Sequence, residues 1–266
     1  MPDSRDARLA VLIDADNTSA RHAADLLEEI AKYGSPTVKR VYGDWTTQQL
    51  VRWKEELHRH AIQPMQQFAY TTGKNSTDSA LIIDAMDLLY SGNLDAFAIV
   101  SSDSDFTRLA TRLRESGATV YGLGQRKTPE SFREACDRFI YLEVLGSAAA
   151  AEPQVTDEPA PQLPDLPKLL TKAIDSTSQE DGWSTLSAVG SYIGKSHASF
   201  DPRHYGFPKL VALARAQDYV EVEQPSSGPV RIRLRSKRAD KKAAAKKTTA
   251  KKTTGKKATS RRAQSS

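Results

Sequence analysis

Aspartates recur at three separated places in the chain, and two of these places directly follow a short apolar run. Asp14 and Asp16 close the run that begins at Leu9, Asp103 and Asp105 follow the run that begins at Ala96, and Asp78 opens a helical pattern. The carboxyl ends of parallel strands meet at one edge of a sheet, so these side chains are expected to gather there. Gathered carboxylates repel one another, and a bound Mg²⁺ or Mn²⁺ removes that cost. The pattern predicts a metal site suited to phosphodiester hydrolysis by a metal-activated water.

The same residues also have a purely structural interpretation. Asp and Asn commonly form turns and cap helices after strands, and residues 101–105 precede a predicted helix that begins at residue 106. For a single aspartate, capping is the more frequent role. Three acidic positions at the same end of consecutive elements favour a site, and the residues alone leave both interpretations open.

Basic residues near these aspartates are candidate phosphate contacts. Lys74 lies in the loop before Asp78, and Arg126 and Lys127 follow a predicted strand and precede a helix beginning at Thr128-Pro129. A helix N-terminus after basic residues is a natural phosphate-binding geometry. Ordinary solvated basic side chains are the alternative.

The elements that must position these residues alternate between strand and helix patterns. The run 9–14 is almost entirely apolar, as expected for a strand buried on both faces. The alternation predicts an α/β sandwich with a mainly parallel sheet. The predicted strands are 9–14, 38–45, 64–70, 96–102 and 119–124, and the predicted helices are 20–33, 50–61, 78–91, 106–116 and one that begins at residue 128.

Three blocks, 12–17 (LIDADN), 73–86 (GKNSTDSALIIDAM) and 99–106 (IVSSDSDF), resemble in order and spacing the signature blocks of the NYN domain, a PIN-like nuclease family. The resemblance covers about residues 8–145 and implies a PIN-like Rossmannoid α/β/α sandwich with Mg²⁺- or Mn²⁺-dependent ribonuclease activity, although some PIN-like domains only bind RNA. It implies that the catalytic and metal-binding residues are Asp14, Asp78, Asp103 and Asp105, with Asn17 beside them. Asp84 lies six residues beyond Asp78 on another helical face and is assigned a structural role, and Asp16 is expected to point away from Asp14.

Residues 163–235 form a second predicted domain. Helices are predicted at 166–176, 181–193 and 205–217, followed by alternating strands at 219–224 and 230–235 that form a hairpin. This order predicts a small winged helix-turn-helix, and the segments DGW (181–183) and FDPRHYGFPKL (200–210) resemble the LOTUS, or OST-HTH, domain. The resemblance implies binding of RNA or of a partner. The candidate RNA contacts are Lys195, Arg203, Lys209, Arg231 and Arg233, together with His204, Tyr205 and Arg235.

The net charge of +5 is distributed unevenly. Segment 236–266 holds twelve Lys and Arg and one acid, Asp240, and it lacks aromatic residues, Leu, Ile and Val, so a disordered basic tail that binds nucleic acid is predicted. Segment 147–162 is rich in Ala, Pro and acids and predicts a disordered linker. The predicted domains are therefore 1–146 and 163–235.

Several function classes are excluded by composition. No apolar run approaches the roughly 18 residues that span a bilayer, and the N-terminal residues lack the layout of a secretion signal. The single cysteine, Cys136, is expected to fill the core within a helix and provides neither a disulfide nor a cysteine-based zinc site. A reducing cytoplasm fits this cysteine usage. His58 and His60 are two residues apart on one helix, and no Ser-His-Asp triad can be assigned.

The sequence therefore predicts a cytoplasmic, metal-dependent ribonuclease with an RNA-targeting winged helix and a polycationic tail. By its resemblance to PIN-like enzymes, it would act by in-line attack of water and leave a 5′-phosphate. The main rival is a non-catalytic RNA-binding adaptor, and a DNA-directed nuclease is a second rival because a lysine tail does not distinguish DNA from RNA. A HAD-like phosphatase, suggested by the Asp14-Ala15-Asp16 spacing alone, is a weaker third.

Overall fold

The computed structural model describes residues 7–68, 76–146, 163–225 and 227–235. Lys74, the predicted linker 147–162 and the predicted tail 236–266 lie outside the described residues. The first domain contains strands β1 (Arg8–Asp14), β2 (Ser35–Gly43), β3 (Gln63–Gln66), β4 (Ala96–Val100), β5 (Thr119–Gly124) and β6 (Arg138–Tyr141), and helices α1 (Ala23–Ile30), α2 (Trp53–His60), α3 (Ser76–Tyr90), α4 (Thr107–Glu115) and α5 (Glu130–Ala135).

The six strands form one parallel sheet in the order β3-β2-β1-β4-β5-β6. The chain first builds outward from β1 through β2 to β3, then crosses over and builds outward from β4 to β6. The order therefore reverses between β1 and β4, and ligands in open α/β sheets bind at such a switch point, beyond the carboxyl ends of the strands. Ile13 pairs with Val100 in this register, so Asp14 and Ser101 leave the sheet side by side.

Both faces of the sheet are covered by helices, because successive side chains of a strand point to opposite faces. Leu9, Val11 and Ile13 pack with the side of α1 and α2, whereas Ala10 and Leu12 pack with the side of α3, α4 and α5. The α/β/α architecture with a parallel sheet, predicted from the near-continuous apolar runs of β1 and β4, is confirmed.

The second domain contains helices α6 (Leu166–Thr177), α7 (Leu186–Ser196) and α8 (Leu210–Arg215) and strands β7 (Ser184–Thr185), β8 (Val220–Glu223) and β9 (Arg231–Leu234). Its strands form an antiparallel sheet in the order β7-β9-β8. Leu170, Val189, Ile193 and Ile232 are fully buried in its core. The predicted three helices and hairpin are present, but the helix predicted at 181–193 begins only at Leu186, and Ser184 and Thr185 form strand β7 instead.

The predicted helix 205–217 was too long. Residues 202–205 form a separate 3-10 turn that ends at Gly206, which adopts the left-handed conformation with φ 80°. Pro208 then disfavours helical backbone at Phe207, so α8 begins only at Leu210. The break places residues 201–205 in a loop of their own.

Strand β6 was not predicted, and its surroundings differ from the sequence interpretation. Helix α5 ends at Ala135, so Cys136 lies after the helix rather than within it. The cysteine is nevertheless buried, its thiol donates to the carbonyl of Phe132, and burial raises its pKa to about 12. The prediction that it fills the core is confirmed.

Candidate metal centre and nucleic-acid surfaces

Asp14 closes the central strand β1 and is fully buried. Its Oδ1 accepts hydrogen bonds from the backbone amides of Asp16 at 3.0 Å and Asn17 at 3.3 Å. Its Oδ2 accepts from Asn17 Nδ2 at 2.7 Å and from Ser101 Oγ at 2.8 Å. Burial raises the pKa of Asp14, and the hydrogen bonds from Asn17 and Ser101 oppose that rise. Asn17 therefore holds Asp14 in place.

The loop that follows β4 carries the second acidic position. The Ser101 hydroxyl, which donates to Asp14, also accepts from the backbone amide of Asp103 at 3.1 Å. Asp103 then caps the 3-10 turn of residues 104–106, and its Oδ1 accepts from the Asp105 amide at 2.9 Å. The capping interpretation is therefore correct for Asp103. The cap uses Oδ1, and it sets the direction of the side chain.

Asp78 lies in the first turn of α3. Its pKa is raised to about 6, first by burial and then by the negative charges of Asp14, Asp103 and Asp105, with a smaller contribution from Asp16. A carboxyl whose pKa is raised by several like charges is one that a cation would stabilise.

Asp78, Asp103 and Asp105 form a carboxylate trio in which one ligand oxygen of each lies within 4.8 Å of the others. This trio is half-buried at Asp78 and Asp103 and exposed at Asp105. An all-oxygen donor set is the one that Mg²⁺ and Mn²⁺ prefer, and three carboxylates within this distance bring like charges together. The residues therefore fit a hard divalent cation.

Asp14 lies outside this trio, and its role as a direct metal ligand stays a prediction. Its carboxylate is the acceptor of four hydrogen bonds and lies fully buried behind the exposed edge. It acts on the site through its charge, which is the largest electrostatic contribution to the raised pKa of Asp78 after burial. Asp16 is exposed and lies outside the trio, as expected from its direction relative to Asp14.

Asp84 has the structural role that its helical face predicts. Its carboxylate pairs with the Arg40 guanidinium and accepts from the Tyr42 hydroxyl, both on β2. The residue ties the middle of α3 to the sheet, six residues or about 1.7 turns beyond Asp78. It therefore helps to fix the helix that presents Asp78.

Arg126 and Lys127 are exposed in the turn after β5. The turn lies beside the acidic loop, because the backbone amide of Gln125 donates to Ser102 Oγ at 2.9 Å. The helix expected from Thr128-Pro129 begins at Glu130 and has six residues. The turn that carries Arg126 and Lys127 therefore adjoins the loop after β4, and both residues remain predicted phosphate contacts.

Arg203 has a different role from the predicted RNA contact. Its guanidinium donates to both carboxylate oxygens of Glu29, at 3.1 and 3.0 Å, and to Asp201 at 2.7 Å. Glu29 belongs to α1 of the first domain, so the interaction crosses between the domains. With its donors committed to two carboxylates, Arg203 is an interface residue.

The other predicted contacts of the second domain are on its surface. Lys195, at the end of α7, and Lys209, which precedes α8, are exposed. Arg231 and Arg233 share one face of β9, as predicted, and lie over the Trp183 ring with their guanidinium carbons 5.3 and 4.4 Å from its centroid. Arg231 also pairs with Asp181, and Arg233 with Glu221 at 2.7 Å. These two arginines are therefore partly neutralised.

Two residues of consequence were missed from the sequence. Ser101 joins the two central acidic positions, and its signal is a hydroxyl directly after a buried strand that is adjacent to β1. Glu29 shares the buried face of α1 with Leu26 and Ile30, and an acid three residues after Leu26 on an apolar stripe is its signal.

Within the described residues, no helix has the length and apolar content needed to cross a membrane.

Comparisons with known proteins agree with this architecture. The NYN domain family matches residues 8–143, and the OST-HTH/LOTUS domain matches residues 161–232. No curated protein matches the chain.

Similar solved structures include a protein of unknown function from Vibrio parahaemolyticus, with 16% identity and a TM-score of 0.45 over 53% of this chain and 96% of that one. A fragment from Chromobacterium violaceum is 36% identical with a TM-score of 0.24 over 29% of this chain and 88% of that one. An uncharacterized protein from Nitrosomonas europaea is 28% identical with a TM-score of 0.25 over 33% of this chain and 93% of that one. With the family match spanning residues 8–143 of 266, the chain belongs to the NYN domain family, of PIN-like nuclease fold, and carries an OST-HTH/LOTUS domain after it.

Proposed function

We propose that this protein is a ribonuclease that hydrolyses RNA phosphodiester bonds with Mg²⁺ or Mn²⁺ held by the carboxylate trio. The observation that carries the proposal is the convergence of Asp78, Asp103 and Asp105 within 4.8 Å at the switch point of a parallel sheet. Family membership supports the same chemistry, because the NYN domain is a PIN-like nuclease domain.

The proposed division of labour follows from burial and hydrogen bonding. Asp78, Asp103 and Asp105 supply the oxygens that hold the cation, whereas Asp14, Asn17 and Ser101 form the buried layer that orients the acidic loop. A bound divalent cation supplies a water of lowered pKa and offsets negative charge on the phosphate and the leaving oxygen. The chain's own contribution is to fix three carboxylates close together at a solvent-facing edge.

RNA is the proposed substrate because an OST-HTH/LOTUS domain follows the NYN domain, and LOTUS domains bind RNA. The proposed phosphate contacts are Arg126 and Lys127, in the turn that adjoins the loop after β4, with Lys195 and Lys209 on the second domain. The basic segment 236–266 adds affinity without sequence preference, and this contribution is expected to weaken steeply as salt rises.

The decisive experiment is cleavage of a labelled single-stranded RNA by the full chain, with Mn²⁺ and with EDTA, beside a matched DNA strand. Asp103→Asn is expected to lower the cleavage rate by about a hundredfold or more, since metal catalysis contributes several kcal/mol. Asp87→Asn is the matched control, because Asp87 is an exposed aspartate of α3 outside the trio. It is expected to cleave as the wild type does.

Other outcomes would favour the rival functions. RNA binding without cleavage in the wild type, at every Mn²⁺ concentration and with several RNA structures, would make the protein an RNA-binding adaptor. Preferential cleavage of the DNA strand would make it a DNA-directed nuclease. Equal rates for Asp103→Asn and the wild type would remove the trio from the reaction.

We also infer a cytoplasmic location. The one cysteine of the chain is buried and free, so the fold depends on no disulfide. Subcellular fractionation of cells expressing the tagged protein tests this, and recovery outside the cytoplasmic fraction would contradict it.

A further inference from the structure

Three charged side chains join the two domains: Glu29 of α1, and Asp201 and Arg203 of the loop before α8. We call them the docking lock. Glu29 and Asp201 are only 4% and 6% exposed, so each needs a close partner to remain ionised. Arg203 is the close partner of both carboxylates. Its guanidinium donates two hydrogen bonds to Glu29, of 3.1 and 3.0 Å, and one of 2.7 Å to Asp201. The geometry is the planar fork that suits arginine and carboxylate.

The electrostatics agree with a lock that is fully charged. Burial acts to raise the pKa of Glu29, but the hydrogen bonds from Arg203 and Lys32 outweigh it and lower that pKa. Burial likewise acts to raise the pKa of Asp201, and the side-chain and backbone hydrogen bonds of Arg203 lower it. Arg203 therefore favours the ionised form of both carboxylates, and Lys32 also favours that of Glu29.

The edge strand β6 extends the same interface. The backbone amide of Phe139 donates to the carbonyl of Ala198 in the second domain at 2.9 Å. Arg138 lies 3.8 Å from Asp201 and packs over the Tyr33 ring at 5.1 Å. The Tyr141 ring packs against His204 with centroids 4.8 Å apart. Ion pairs, a backbone bond and ring packing thus meet along one edge of the sheet.

This interface lies close to the carboxylate trio. Strand β6 is two strands from β4, or roughly 10 Å at normal strand spacing. The turn after β5 spans the gap, since the Gln125 amide bonds to Ser102 on the trio side at 2.9 Å. On the other side, the positive charge of Arg126 helps to lower the pKa of His204, after burial. The turn that carries Arg126 therefore follows the strand between β4, whose loop holds Asp103 and Asp105, and β6, which contacts the second domain.

We propose that the docking lock fixes the OST-HTH domain on the edge of the NYN sheet, so that one RNA strand follows a continuous path from the second domain past Arg126 to the carboxylate trio. The RNA path in this proposal rests on the proposed function, whereas the docking of the two domains rests on the interface alone. It makes the second domain a fixed part of the substrate surface rather than a tethered module.

Docking is tested without RNA, by hydrogen exchange of the Phe139 amide in the full chain. Glu29→Ala is expected to lower the protection of that amide roughly a hundredfold, because it removes one partner of a buried pair. Glu28→Ala, which changes the exposed neighbouring residue, is the matched control and is expected to leave protection unchanged. Amides of β1 report whether the NYN domain itself remains folded.

Arg203→Met is the second variant, and it attacks the lock from the other domain if Glu29→Ala loosens α1. Protection of Phe139 that persists in either folded variant would refute the lock. Loss of protection confined to the interface, with β1 unaffected, would establish it.

The RNA path is tested by fluorescence anisotropy in EDTA, with single-stranded RNAs of about 6 and about 20 nucleotides. Undocking by Glu29→Ala is expected to weaken binding of the longer RNA about tenfold and to leave the shorter unchanged, because only the longer strand engages both domains. Arg126→Ala, introduced with the docking lock intact, is expected to weaken binding of the longer RNA by a similar factor. Full affinity of the undocked variant for the longer RNA would refute the path. If the wild type binds neither RNA, the proposed function and the path both fail, whereas the exchange experiment still decides the docking.

Discussion

His204 provides a quantitative test of the domain interface through pH. The ring is packed against Tyr141, its neighbouring charges are Asp201, Arg126 and Arg203, and its buried Nε2 has no hydrogen-bond partner. Burial, aided by the two arginines and opposed by Asp201, lowers its pKa from the usual 6.5 to about 4. The unfolded chain therefore takes up a proton at higher pH than the folded chain does, so stability falls as pH decreases from above 6.5 towards 4.

The magnitude follows from these two pKa values. When the pH is lowered from 7.5 to 5, protonation of His204 in the unfolded state lowers the free energy of unfolding by about 2 kcal/mol. Because the ring is only partly buried, solvent screening reduces the expected loss to about 1–2 kcal/mol. The charged lock adds to the same trend at lower pH, since Glu29 and Asp201 stabilise the fold above their ordinary pKa values and lose that effect as they are protonated.

The assay compares the wild type with His204→Phe in urea denaturation at pH 7.5, 6 and 5. Phe keeps a ring against Tyr141 and removes the unpartnered nitrogen, so its stability at pH 7.5 is expected to equal or exceed that of the wild type. The wild type is expected to lose about 1–2 kcal/mol more than the variant between pH 7.5 and 5. His22 and Asp78 also have shifted pKa values, but they are common to both proteins and cancel in the difference.

His58→Gln serves as the control, because His58 is an exposed histidine of α2. It is expected to follow the wild-type pH profile. Parallel profiles for the wild type and His204→Phe would show that the imidazole is not held neutral at the interface, and the reasoning from burial would be wrong.

Three further predictions concern the carboxylate trio and its support. Ser101→Ala removes the hydroxyl that joins two acidic positions and is expected to weaken Mn²⁺ binding by about 10- to 100-fold in calorimetry, with exposed Ser104→Ala as control. Asp78→Asn removes a half-buried charge that neighbouring carboxylates repel, so the free energy of unfolding of the metal-free protein is expected to rise by about 1–2 kcal/mol at pH 7. The melting temperature of this variant is expected not to rise with Mn²⁺, and a rise equal to that of the wild type would contradict the prediction. Gly124→Ala would place a Cβ 2.5 Å from the Ser101 carbonyl oxygen and is expected to lower the free energy of unfolding by about 1–3 kcal/mol in urea denaturation. Gly194→Ala in α7 is the control, because its Cβ would meet no neighbour and alanine favours the helix, so this variant is expected to be more stable than the wild type.

Much of the fold and part of the site could be predicted because they depend on local patterns. The apolar runs of β1 and β4 indicate buried parallel strands, and the strand-end rule then brings Asp103 and Asp78 to one edge without knowledge of any contact. The trio itself confirms that reasoning. The hydrogen bonding of Asp14 could be predicted only in part from its position, because three of its four hydrogen bonds come from the nearby Asp16 and Asn17, whereas the fourth comes from Ser101, 87 residues further along the chain.

The interface between the two domains could not be predicted, because its contacts join residues that are far apart in the sequence. Arg203 meets Glu29 across a sequence separation of 174 residues, and an arginine in a loop has the same appearance in the sequence whether it binds RNA or a carboxylate. Strand β6 was missed because Arg138–Tyr141 is four residues long and follows helix α5 after only two residues. Its stability derives from pairing with β5 and from the second domain, and neither is local.

The two borders of the parallel sheet are closed by different means. At one border, β3 is only four residues long and contains Pro64, which has no amide hydrogen to offer a neighbouring chain. At the other, the amide of Phe139 on β6 is already bonded to Ala198. A protein truncated after residue 146 would leave that amide unpaired beside the apolar core and would offer a template for strand addition by a second molecule. The second domain thus occupies a backbone group of β6 that could otherwise pair with a strand of another molecule.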